Sequence, residues 1–104
     1  MEVSKRDWKL FRDKIADWQE DYMDRLNQKY IKLLSEDKKP SDKFWALEKR
    51  INKDKKRLGV MLEMEKSETA YNLVILIRDK VIKFEDLDEF SDELKAVVKM
   101  YLDR

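Results

Sequence analysis

From Trp8 onward the apolar residues return every third or fourth position: Trp8, Phe11, Ile15, Trp18, Tyr22, Leu26, Tyr30 and Leu33 form one stripe. A run of that length with a 3.6-residue period predicts a long amphipathic helix, and only Leu10 and Ile31 fall clearly off the stripe. Ser4 is placed to cap its first turn, where Asp7 suits the positive end of the helix dipole. Pro40 disfavours helical geometry at Lys39, so the first helix is expected from about Lys5 to Ser35. Ser41 then reads as the cap of a second helix carrying Phe44, Leu47, Ile51 and Leu58 on one face. That helix is expected to end at the chain's single glycine, with Gly59 as a left-handed residue just past it.

Residues 60–66 fit either an extended connection or the first turns of a third helix. The reading adopted is a short connection, with Ser67 as the next cap and Glu68 in the first turn. In "SETAYNLVILIRDKVI" the residues Ala70, Leu73, Val74, Leu76, Ile77 and Val81 cover a broad face, with Tyr71 and Ile75 opposite. A helix apolar around most of its circumference belongs at the centre of a bundle. A buried strand is the alternative, but no second strand of similar quality exists to pair with it. "KFEDLDEF" reads as a turn or short helix, after which Ser91 caps "DELKAVVKMYL", with Leu94, Val97, Val98, Tyr101 and Leu102 on one face. The expected fold is all-α: a single small helical bundle of four or five helices, with a long amino-terminal helix, over residues 1–104.

The length of helix 1 raises a question of its own. About 31 helical residues span roughly 46 Å, whereas a compact domain of this size is about 33 Å across. Three outcomes stay open: an elongated fold, a second copy covering the protruding stripe in a two-fold arrangement, or a helix that bends or breaks near Asp21 to Asp24 in a monomer. The interfacial reading makes Trp18, Tyr22, Leu26 and Tyr30 the candidate partner contacts, with Trp45, beside the helix 2 stripe, as a secondary one.

Composition narrows the chemistry. One glycine and one proline leave little punctuation for a β or doubly wound fold. The longest apolar run, Leu73 to Ile77, is far short of the roughly 20 residues of a membrane span, so no membrane partner is expected. The amino terminus has no h-region, and there is no cysteine for a disulfide framework, which makes a cytoplasmic location the simplest expectation. Without His or Cys the chain has no Ser-His or Cys-His nucleophile, and no His- or Cys-ligated metal or haem site. Four of the five serines, Ser4, Ser41, Ser67 and Ser91, stand where helices should begin, which suits capping better than catalysis. A lone glycine removes the Gly-rich phosphate loops. No enzyme activity, cofactor or metal is expected.

The carboxylates Glu85, Asp86, Asp88, Glu89, Asp92 and Glu93 suggest calcium at first sight. An EF-hand loop, however, needs alternating ligands with a glycine at position six, and Leu87 and Phe90 interrupt any such series. The stretch reads instead as acidic first turns of two successive helices, with Leu87, Phe90 and Leu94 turned inward. Charge is unevenly distributed. Residues 38–58 carry nine basic and three acidic residues, a net +6, while residues 84–104 carry three and seven, a net −4. Lys49, Arg50, Lys53, Lys56 and Arg57 lie opposite the helix 2 stripe and form a candidate polyanion face, with Trp45 as a possible stacking platform. Against nucleic acid stand the sequence pI near 7.8 and the complementary acidic pole, which fits self-association better.

Taken together, "VSKRDWKLFRDKIADWQEDYMDRLNQKY", "FWALEKRI", "GVMLEM" and "FEDLDEFSDELK" resemble a group of short, functionally uncharacterised bacterial proteins that are all-helical and of about this length. Some of that group carry an automatically transferred label, "multidrug transporter", which a chain with no bilayer-spanning segment contradicts. The resemblance implies no activity and supplies no functional residues. The functional expectation is a non-enzymatic interaction or regulatory module that self-associates as a homodimer or binds another protein, with nucleic-acid association through helix 2 as the alternative.

Overall fold

The computed structural model describes residues 2–104 and is all-helical. Helix α1 (Lys5–Leu34) is followed by α2 (Pro40–Asp54), α3 (Thr69–Arg78) and α4 (Asp92–Leu102), with 3₁₀ turns at Lys66–Glu68 and Phe84–Leu87. α1 runs without interruption through Asp21 to Asp24. At 30 residues it accounts for most of the molecule's 52 Å long axis, and the other two dimensions are 25 and 18 Å. The radius of gyration, 16.5 Å, exceeds the roughly 13 Å of a compact chain this size, so the fold is elongated.

The core lies at one end. The amino-terminal half of α1 contributes Phe11 and Ile15, which pack with Leu73, Val74 and Leu76 of α3, Leu87 and Phe90 of the acidic stretch, and Leu94 and Val98 of α4. Phe11, Leu73, Leu76, Leu87, Leu94 and Val98 have no exposed surface at all. Trp8, Phe11, Trp18 and Phe90 form a chain of tilted ring contacts 6.3 to 6.4 Å apart along the edge of this core. Beyond Tyr22, Arg25 still reaches the end of α3, and the rest of α1 pairs with α2, so that the two form an antiparallel helical arm.

Two predicted caps are in place. Ser4 accepts a hydrogen bond from the Asp7 amide at 3.1 Å, and Ser91 accepts one from the Leu94 amide at 3.2 Å. The others are corrected. α2 begins at Pro40 itself, whose fixed φ suits the first helical position, with an extended Lys39 before it; Ser41 therefore lies inside the helix and caps nothing. The third helix is entered through a 3₁₀ turn that has no side-chain cap, and Ser67 sits within that turn. Residues 61–65 form the extended connection.

Gly59 is corrected as well. α2 stops at Asp54, and no glycine has a positive φ. The chain turns here because tertiary contacts outweigh helix propensity: Gln19 of α1 donates to the Leu58 carbonyl at 3.0 Å, and the Gly59 backbone lies against the Tyr22 ring, where a Cβ would overlap Tyr22 Cδ2. The left-handed residue is instead Lys80, with φ 62°, just past α3. The Val81 amide reaches the Leu76 carbonyl at 2.9 Å and the Lys80 amide reaches that of Ile77 at 3.0 Å, which is a Schellman ending. Arg25 of α1 reinforces it, donating to the carbonyls of Lys80 and Val81 at 2.8 and 2.9 Å and setting a cation at the negative end of α3.

Candidate functional site

The helical arm holds most of the residues singled out above, in two different roles. The α1 stripe is largely used within the chain. Leu26 is buried, and Trp18 and Tyr22 are half-buried partly packed against the core. Tyr30 donates its hydroxyl proton to the Asp54 carboxylate at 2.6 Å and ties α1 to the end of α2. Burial, and secondly that hydrogen bond, push the Tyr30 phenol up to about 12. Burial also raises Tyr22.

Helix 2 departs from the expected arrangement. Its predicted inward stripe points largely to solvent: Phe44 is 61% exposed, Ile51 is exposed and Leu47 is half-buried, while Leu58 lies beyond the helix. The residues of α2 least accessible toward α1 are Ala46, Leu47 and Asp54, about one quarter-turn away from Phe44 and Ile51. Trp45, 62% exposed, stands edge-on to Phe44 with ring centroids 4.9 Å apart. On α1, Ile31 is 56% exposed and Leu34 is exposed as well. Lys43 reaches across to the Leu34 carbonyl at 3.0 Å, which places Phe44 and Leu34 at the same end of the arm. A groove of about 270 Å³ runs between the helices nearer the core, lined by Met23, Leu26, Asn27, Tyr30, Ile51, Asp54, Lys55 and Val60.

The polyanion candidates Lys49, Arg50, Lys53, Lys56 and Arg57 are all exposed. Arg57 is engaged by Asp79 at 3.1 Å, and among the described residues the other four make no ion pair. Trp45 lies one helical turn before Lys49, while Lys56 stands in the turn beyond the end of α2.

Carboxylates are used structurally where they are buried. Asp7 accepts from the Ser91 amide at 2.9 Å and from the Ser91 hydroxyl at 2.5 Å, which joins the first turn of α1 to the cap of α4 across 84 positions. In the acidic stretch, Asp86 accepts from the Lys83 amide at 2.7 Å, and Glu89 pairs with Lys14 at 3.1 Å. Among the described residues no three carboxylates are grouped so as to hold a metal ion. No helix among them is long and apolar enough to cross a membrane.

No protein-family model, curated protein or solved structure matches the chain.

Proposed function

We propose that this chain is a non-enzymatic helical interaction module of the cytoplasm, that its arm is the working surface, and that its first partner is another copy of itself. The observation that carries this reading is the arm's composition. Two helices lying side by side form a single layer, and apolar residues on such a layer need a second layer to be buried. Ile31, Leu34, Phe44, Trp45 and Ile51 lack one within the chain, and they are five of the nine large apolar side chains left exposed among the described residues. The opposed charges of residues 38–58 and 84–104 support self-association over a polyanion partner. The test is the solution mass by light scattering after size exclusion, at low and high salt. An apolar contact predicts a dimer at both; a monomer at every concentration up to about 100 μM overturns the reading.

A second reading is favoured by one observation, exposed Trp45 one helical turn from exposed Lys49 in the basic stretch. A stacking ring flanked by cations suits single-stranded nucleic acid. Binding should then fall steeply with salt and be lost on charge reversal at Arg50, Lys53 and Arg57. Binding that ignores both changes excludes it.

A further inference from the structure

We infer that the lateral face of the arm, Ile31 and Leu34 on α1 with Phe44 and Ile51 on α2, docks on the same face of a second copy, each Phe44 seating in the other's groove beside Ile51. This rests on the self-association reading and names its surface and register. Of the earlier candidates, Leu26 and Tyr30 line the groove and become its floor, whereas Trp18 and Tyr22 pack against the core outside the interface.

Spacing places knob and socket on one face. Phe44 and Ile51 are seven residues apart, two helical turns, so they lie on one line of α2 about 10 Å from each other. The groove opens at Ile51, and its α1 wall is Met23 and Asn27, which continue along the same side of α1 to Ile31 and Leu34. A two-fold axis across the arm near Ile31 and Leu47 therefore carries each Phe44 onto the partner's groove and brings the groove to Phe44. A surface holding both a projecting ring and a matching hollow is what an isologous contact requires.

Size agrees with this occupant. The groove's 270 Å³ falls below the roughly 300 to 1,000 Å³ of small-molecule pockets, while it has room for an aromatic side chain. The exposed parts of Ile31, Leu34, Phe44 and Ile51 amount to roughly 430 Å², the size of a monomer's largest apolar patch and about half of the ~800 Å² each partner gives to a standard interface, whose rim is polar. Charge agrees as well. Exposed Glu20 and Asp24 flank the groove end of α1; at the Phe44 end of the arm stand exposed Lys39 and Lys38, the latter already paired with Glu36 at 2.9 Å. Antiparallel docking brings the two pairs together at both ends. The product is a four-helix bundle made from two hairpins, with a core at each far end.

The natural absence of cysteine makes the register directly testable. A Phe44→Cys, Ile51→Cys double variant should give a covalent dimer under mild oxidation, whereas Phe44→Cys alone should stay largely uncrosslinked. Phe44→Glu, at an exposed position, should keep its helical circular dichroism and weaken dimerisation by at least ~100-fold, the effect of losing an interface anchor. Tyr71→Glu, exposed on α3, should remain dimeric. A dimeric wild type whose mass survives Phe44→Glu and whose double variant does not crosslink overturns the inference and leaves self-association standing. A monomeric wild type overturns both, and if that monomer co-floats with anionic phospholipid vesicles the face belongs to a lipid surface instead.

Discussion

The two ends of α1 lie in different environments although the sequence treats them alike. At the core end, Phe11 and Ile15 meet apolar residues of α3, the acidic stretch and α4, and the buried side-chain polar atoms there have partners. At the arm end, Leu26 is the one buried apolar residue between Trp18 and Arg57, and two hydrogen bonds, Tyr30 to Asp54 and Lys43 to the Leu34 carbonyl, join α1 to α2. The same helical period therefore builds a folded core where α3 and α4 are available and a half-covered hairpin where only α2 is. The buried core lies at the first end and uncovered apolar surface at the second.

Substitutions should sort by end. Phe11→Ala removes a fully buried ring from the core and should cost about 3 to 5 kcal/mol, enough to unfold much of a chain of this size; chemical denaturation followed by circular dichroism measures it. A loss below about 1 kcal/mol would mean that the core end is not the seat of stability. Asp7→Ala comes next. It leaves the Ser91 amide without its acceptor and removes a carboxylate from the start of α1, so about 2 to 3 kcal/mol should be lost. Asp7→Asn should recover part of that, because an amide oxygen still accepts.

In the arm the corresponding tie is weaker. Tyr30→Phe strips the buried Asp54 carboxylate of its donor and should cost about 1 to 2 kcal/mol. Its pH signature is distinct. The phenol's folded value of about 12 lies above the unfolded value near 10, so the native state favours the protonated form. The stabilisation is fully present below pH 10 and is lost as pH rises through 12. Tyr22, also raised, acts in the same direction, so Tyr30→Phe should flatten the alkaline loss only in part. A wild type and variant with parallel alkaline profiles would show that this bond does not hold the arm.

How far these differences can be read from the sequence depends on the distance between partners. The caps at Ser4 and Ser91 are legible because donor and acceptor are three residues apart. An all-α fold of four or five helices and the inward Leu87, Phe90 and Leu94 follow from periodicity alone. Asp7 with Ser91, and Arg25 with the end of α3, join positions 84 and about 55 apart, and no local pattern marks them. Gly59 is a misleading signal: its missing Cβ makes room for Tyr22, and the left-handed residue stands instead at the end of α3, where a lysine takes it. In α2, the period shows an apolar face without showing whether the chain has anything to cover it. Phe44 and Ile51 thus read as core and stand in solvent.

Lys80 offers a gain instead of a loss. A side chain at φ 62° is strained, and Lys80→Gly keeps the Schellman bonds while relieving the Cβ contact. The variant should be more stable by about 0.5 to 1 kcal/mol, seen as a higher denaturation midpoint at an unchanged slope. A loss would mean that the lysine stem packs on α1 strongly enough to outweigh the backbone strain.

The smallest expected effect separates the two ends most sharply. At protein concentrations low enough to keep the chain monomeric, Ile31→Ser and Leu34→Ser should change stability by less than about 0.5 kcal/mol each, since both side chains are already in water. The same substitutions at high concentration should lower the melting temperature clearly, because there a second copy covers them and binding adds to stability by mass action. Phe11→Ala should be equally damaging at both concentrations. If the serine variants are as harmful in the dilute monomer as in the concentrated protein, the arm is packed within one chain after all, and the division between a stable end and a binding end fails.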